Sequence, residues 1–272
     1  MGGTGAGRVP ALQPSRLLPL TALATAIWPV WHWYASRARD PGEGWELLSL
    51  ATAALFVVVR APVAPSRPRA LTLALLLLLA YAATYPFLPP LARAGIAFAS
   101  LAAASSALLF GRRLHLALTG LILLSLPVIA SLNFYLGYPL RVVVGTATAA
   151  LLQMNGFAVR PEGALLLWNG HSISIDAPCS GVKMLWAGLY LAFALAAFHE
   201  LDARRTALLA ATAVAAVIGA NVLRAAALFY VEAEIVRLPG DWHAAIGLGV
   251  FVLAALALAA SARHLNLRTH ES

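Results

Sequence analysis

The only cysteine in the chain, Cys179, stands in the run Ala177-Pro178-Cys179-Ser180-Gly181, just ahead of a long apolar stretch. Proline suits the first turn of a helix, where its missing N–H leaves no bond unmade. The thiol is therefore expected at a helix N-terminus, beside free backbone N–H groups and the positive end of the helix dipole. Such a setting lowers a cysteine pKa from about 8.5 into a range of roughly 3.5–7.5 and supplies the nucleophilic thiolate. Ser180 and Gly181 leave backbone amides accessible for an oxyanion hole. Taken alone, a lone cysteine in an apolar chain reads more readily as a small packed hydrophobe.

Two further groups change that balance. Asn221 and Arg224 are three apart and share one face of an apolar helix near its outer end. A guanidinium at membrane depth is costly unless paired or hydrated, which makes it a functional candidate. The alternative is an arginine snorkelling to the interface, with Glu232 and Glu234 nearby as partners. Asn221 would orient the arginine or join helices by hydrogen bonding. His243 follows Asp241 and Trp242 at the head of the last apolar run. With an ordinary pKa near 6.5, an imidazole there can take a thiol proton and return it to a leaving amine. His171 is the reserve candidate; no histidines are spaced as metal ligands, so neither metal nor cofactor is expected. Thiol, guanidinium and imidazole on one membrane face suit nucleophilic acyl chemistry: Cys179 attacks, His243 moves the proton, Arg224 holds an oxyanion or carboxylate.

The elements that carry these groups follow from composition. Of the 272 residues, 61% are hydrophobic and 11% charged, and mean hydropathy is +0.81. A soluble domain is nearer 45–50% apolar and about 25% charged, which excludes a water-soluble globule. The net charge of +8 does not imply nucleic acid, because Lys and Arg sit in short loops between apolar runs, as topology-setting charges do. One cysteine excludes an internal disulfide framework. Runs of roughly 20 apolar residues suffice to cross a bilayer, and about eight are expected, near 17–35, 45–60, 70–88, 91–110, 114–133, 180–199, 206–228 and 244–262. The first reads as an uncleaved signal anchor.

With the N-terminus inside, the loops bearing Arg60, Arg67 and Arg69, then Arg112 and Arg113, then Arg204 and Arg205, and the tail with Arg263 and Arg268 all lie inside. This holds only if the apolar stretch 140–158 does not cross, so it is expected as an interfacial or re-entrant helix on the outer face. Between it and Cys179 the period changes to short strands. Asn169-Gly170 is the strongest short hairpin signal, since both residues tolerate the positive φ of a type I′ turn, and Ser172-Ile173-Ser174-Ile175 alternates as a half-buried strand. The expected fold is an all-α integral membrane protein with a small extracytoplasmic β-hairpin element. Its expected parts are a bundle over 1–133, an extracytoplasmic segment over 134–179 and a catalytic three-helix segment over 180–272.

The chain resembles the exosortase/archaeosortase family of membrane transpeptidases. The resemblance runs from Tyr138-Pro139-Leu140-Arg141 through Gly156-Phe157-Ala158-Val159 to Pro178-Cys179-Ser180-Gly181, then Asn221-Val222-Leu223-Arg224, and ends at His243 with Gly247. It covers roughly 134–262. It implies that Cys179, Arg224 and His243 are a catalytic trio, with Ser180, Gly181, Asn221, Arg141 and Lys183 supporting it or binding substrate. Lys183 stands where many relatives carry arginine, and Ala177-Pro178 where an acidic residue is frequent. The resemblance further implies a plasma or inner membrane location with an extracytoplasmic site. The implied substrates are secreted proteins with a C-terminal sorting tail, cleaved through a thioester that either a surface amine acceptor or water resolves, two outcomes the sequence does not separate. The competing classes are a transporter or lipid flippase, and a non-catalytic assembly subunit. Spans nearly free of Asp and Glu, without a repeat, speak against transport.

Overall fold

The computed structural model describes residues 14–37, 39, 44–60, 70–175, 181–236 and 242–267. They are mostly helical, with one small sheet, and the chain divides into two compact units, Met1–Pro127 with Glu200–Ala203, and Val128–His199 with Arg204–Ser272.

In the first unit the apolar run expected over 17–35 forms α1 (Pro14–Ala26) and α2 (Trp28–Arg37). Pro29 has no N–H to donate back into the preceding turn, so the helix breaks at Ile27, and the Trp31 indole bridges the break by donating to the Ala24 carbonyl at 2.9 Å. Next come α3 (Glu46–Arg60) and α4 (Thr72–Thr84). The fifth helix, α5 (Pro90–Phe110), opens on proline and closes on Gly111 in the left-handed conformation, the two punctuation marks that suit helix ends. Ala97, Ala102 and Ala103 make much of α5 small and buried, which lets neighbours approach closely: Ser100 Oγ reaches the α4 carbonyl of Ala74 at 2.8 Å. The short α6 (Leu116–Leu124) is capped by the His115 side chain, which accepts from Leu118 N, and is tied to α3 by Ser49 Oγ donating to Leu121 O at 2.8 Å. Glu46 in the first turn of α3 is buried, so the spans are not quite as free of carboxylates as expected. Arg60 at the end of α3 donates to Glu200 at 2.8 Å.

The single span expected over 114–133 is not formed. Pro127 disfavours helix at the residue before it, and 125–128 separate α6 from α7 (Ile129–Met154). Nor is 140–158 an element of its own: α7 runs through Pro139 for 26 residues, about 39 Å at 1.5 Å per residue. Four helices among the described residues are long and apolar enough to cross a membrane: α5, α7, α9 (Ala203–Glu232) and α10 (Trp242–Leu267, from Ala244). The eighth helix, α8 (Val182–Phe198), is apolar but shorter.

Between α7 and α8 lies an antiparallel sheet of β1 (Arg160–Glu162), β2 (Leu165–Trp168) and β3 (His171–Ser174), in that order. Trp168 pairs with His171 across Asn169-Gly170, whose φ values of 48° and 79° are those the hairpin requires. Exposed Ser172 and Ser174 alternate with the more buried Ile173 and Ile175, as the period of two expects. The sheet is held by an apolar cluster of Leu152 from α7, Val159, Leu166, Ile175 and Phe229 from α9. Phe157, Trp168, Phe229 and Tyr230 add edge-to-face ring contacts at 5.4–6.1 Å. Gly145 admits the sheet to the helix: a Cβ there would lie 3.0 Å from Ile175 and 3.4 Å from the Gly163 carbonyl.

Candidate active site

The strand β3 delivers the chain, through buried Ile175, to the segment that carries the thiol. Cys179 and Ser180 lie outside the described residues, as does the side chain of His243. The geometry is therefore that of the residues next to them, all within the second compact unit.

The helix expected to open at Pro178-Cys179 begins instead at Val182, after Gly181 with φ +75°, whose carbonyl receives Leu185 N at 2.7 Å; in sequence the thiol is two residues ahead of that glycine. Its φ is one that only glycine adopts cheaply. Space requires glycine too: a Cβ here would fall within 2.8 Å of Asn221 Cγ and overlap the amide nitrogen. Asn221 is 4% exposed. Its Oδ1 has no hydrogen-bond partner among the described residues, so it accepts nothing from Arg224. A buried amide oxygen left in that state costs about 1–3 kcal/mol, and such groups occur where function or strain holds them.

One turn along the same face of α9, the Arg224 guanidinium reaches α10. A Cβ on Gly247 would stand 3.2 Å from its Cζ and Nε. Gly247 is one helical turn beyond His243. Asn221 and Arg224 thus link the entrance of α8 to the first turns of α10, and α9 is held on α8 through Gly188, where a Cβ would meet Val217 at 2.6 Å. Three separate helices contribute, and three glycines allow the approach.

The other expected residues fall elsewhere. Lys183 is exposed on the first turn of α8. Arg141 is engaged with its own helix: Nε donates to the Gly137 carbonyl at 3.3 Å, and the guanidinium lies 5.9 Å from the Tyr138 ring centroid. The reserve histidine, His171, sits at the start of β3 and lines a cleft with Glu232 and Glu234. No group of three or more His, Cys, Asp or Glu among the described residues could hold a metal. The role of Gly181 differs from the expected one, since its missing side chain matters as well as its amide. The sequence carried no signal for that, because the atom it must avoid lies forty residues away at Asn221.

The contact yields a test. Gly181→Ala is expected to cost about 1–2 kcal/mol for the left-handed backbone and about 1–3 kcal/mol for the overlap with Asn221. Adding Asn221→Ala relieves only the second part. Thermal unfolding of the detergent-solubilised protein measures both, and equal melting of Gly181→Ala and wild type would refute the packing.

A protein-family model described as transmembrane exosortase matches residues 19–260. Searches of curated proteins and of solved structures give no match.

Proposed function

The chain belongs to the transmembrane exosortase family, and on that premise we propose that it is a membrane-embedded cysteine transpeptidase acting at the outer face of the membrane. Its substrates are secreted proteins with a C-terminal sorting tail. The Cys179 thiolate adds to the carbonyl of the scissile peptide bond, after His243 has taken the thiol proton. Arg224 stabilises the oxyanion. The intermediate collapses to a thioester as the C–N bond breaks and His243 protonates the leaving amine. A surface amine, or water, then attacks the thioester and releases the thiol. Asn221 and Gly181 hold the nucleophile segment, while Arg141 and Lys183 serve the substrate or the lipid headgroups rather than the reacting bond.

The observation that carries this reading is the link across three helices: Asn221 against Gly181, two residues from the thiol in sequence, and Arg224 against Gly247, one turn from His243. These contacts lie beside the segments that carry the thiol and the imidazole in sequence, which favours the enzyme reading over a transporter or an assembly subunit.

The reading includes eight crossings with both ends inside. At nine residues, α6 is about 13 Å long and does not cross by itself, so 116–154 supply one crossing.

The test is chemical. Membranes containing the protein, mixed with a tailed substrate and quenched in acid, should yield an adduct of the chain with the substrate's N-terminal part, released by neutral hydroxylamine. Cleavage without any such adduct, or an adduct that persists in Cys179→Ala, would remove the mechanism.

A further inference from the structure

Given the reading that the chain cleaves a tailed substrate, we propose that the outer edge of β3 receives an extended segment of that substrate as a fourth strand. The ladder fixes which groups are on offer. Ile175 N donates to the Ala164 carbonyl at 2.9 Å, and Trp168 faces His171 across the two-residue turn. Because successive residues of a strand turn their N–H and C=O to opposite sides, His171, Ile173 and Ile175 address β2. Ser172 and Ser174 present theirs to the outer edge. Among the described residues, no backbone group meets them.

The opposite edge of the sheet is closed. The β2 residues that face β1 are Leu165 and Leu167, paired with Glu162 and Arg160, so the β1 residue turned outward between them is Pro161. It has no N–H to offer, and proline on an edge is a standard block to strand addition. A sheet that protects one edge and leaves serines on the other is built to accept a strand on that other edge alone.

The open edge is also enclosed. A cleft of about 610 Å³, in the size range of ligand sites, lies between β3 and the end of α9, where Glu232, Ala233 and Glu234 form the far wall. A single extended chain fits such a slot; a second copy's folded sheet must bring its own α9 end with it. Cys179 is five positions beyond Ser174 in the chain, a reach of at most about 18 Å. A segment docked on β3 therefore belongs to the stretch of substrate adjoining the cut. Main-chain bonds supply the affinity in this mode, which leaves sequence choice to the pockets.

Ser172→Pro and Ser174→Pro delete an outward N–H while keeping the β2 ladder, whereas Ser172→Ala and Ser174→Ala keep the N–H. In membranes with a purified tailed substrate, each proline variant is expected to raise the KM for cleavage about five- to tenfold, the loss of one strand hydrogen bond. The alanine variants should stay within about twofold of wild type. Alkylation of Cys179 by a maleimide serves as the folding control. As a second arm, a photo-crosslinking residue at Ser172 in Cys179→Ala protein should capture the tailed substrate. Unchanged KM in well-folded proline variants would overturn the dock while leaving the cleavage reading intact. Capture of nothing, or only of a second copy of the chain, would do the same. Loss of the cleavage reading itself registers separately, as wild type and Cys179→Ala behaving alike.

Discussion

Cys179→Ala is expected to abolish trimming of a tailed substrate, by a factor on the order of 10⁴ or more, while the protein reaches the membrane at the wild-type level. Removing a nucleophile that acts with a base costs about as much as removing the whole set, since the remaining groups have nothing to activate. No second thiol can substitute, because the chain has one cysteine. Cys179→Ser keeps an oxygen nucleophile but loses the sulfur, which is intrinsically far more nucleophilic; it should fall close to the alanine variant. The measurement is the ratio of trimmed to untrimmed substrate in membranes, with the variant's own abundance measured in parallel. A Cys179→Ala protein that still trims would point to a non-catalytic subunit and an enzyme elsewhere.

Arg224→Gln should lower kcat by about 10²–10³ with KM changed far less. Removing one well-placed oxyanion donor has that effect, because the bond is made in the transition state and hardly at all before it. Arg224→Lys is expected to recover little. The guanidinium lies flat enough against Gly247 for its Cζ and Nε to be equally near, and an ammonium on a flexible stem does not reproduce that planar, fixed fork. If Arg224 instead only anchors α9 at the interface, Lys would serve as well as Arg and kcat would be unchanged in both variants. Comparing the two substitutions at saturating substrate decides between those roles.

The local features were legible because each rests on neighbouring residues. The Asn169-Gly170 hairpin, the alternation of Ser172 to Ile175 and the apolar runs behind α5, α9 and α10 all follow from short-range rules. Helix boundaries around proline were harder. Pro127 ends a helix and Pro139 does not, although the penalty in an isolated helix is the same; the packing of α7 against the sheet outweighs it. That difference turned an expected span and an expected interfacial helix into the short α6 and the long α7. At the site, the placement of Asn221 and Arg224 on one face came from their spacing, but what each touches did not. Gly181 and Gly247 look like ordinary small residues until the helices are assembled. Only then is it evident that each is the space into which a polar side chain of α9 fits.

Of the four long apolar helices, α10 is the least enclosed. Only 11% of its apolar window is buried, and Ala254, Leu258 and Ala262, four apart, make up its buried stripe, in the half away from His243. Its 26 residues come to about 39 Å against a hydrocarbon slab of about 30 Å. A rod longer than its solvent leans to fit, and the angle changes with the acyl chains around it. On the proposal that His243 moves the proton, the height of the helix's first turn follows the bilayer, and cleavage is expected to change with acyl-chain length.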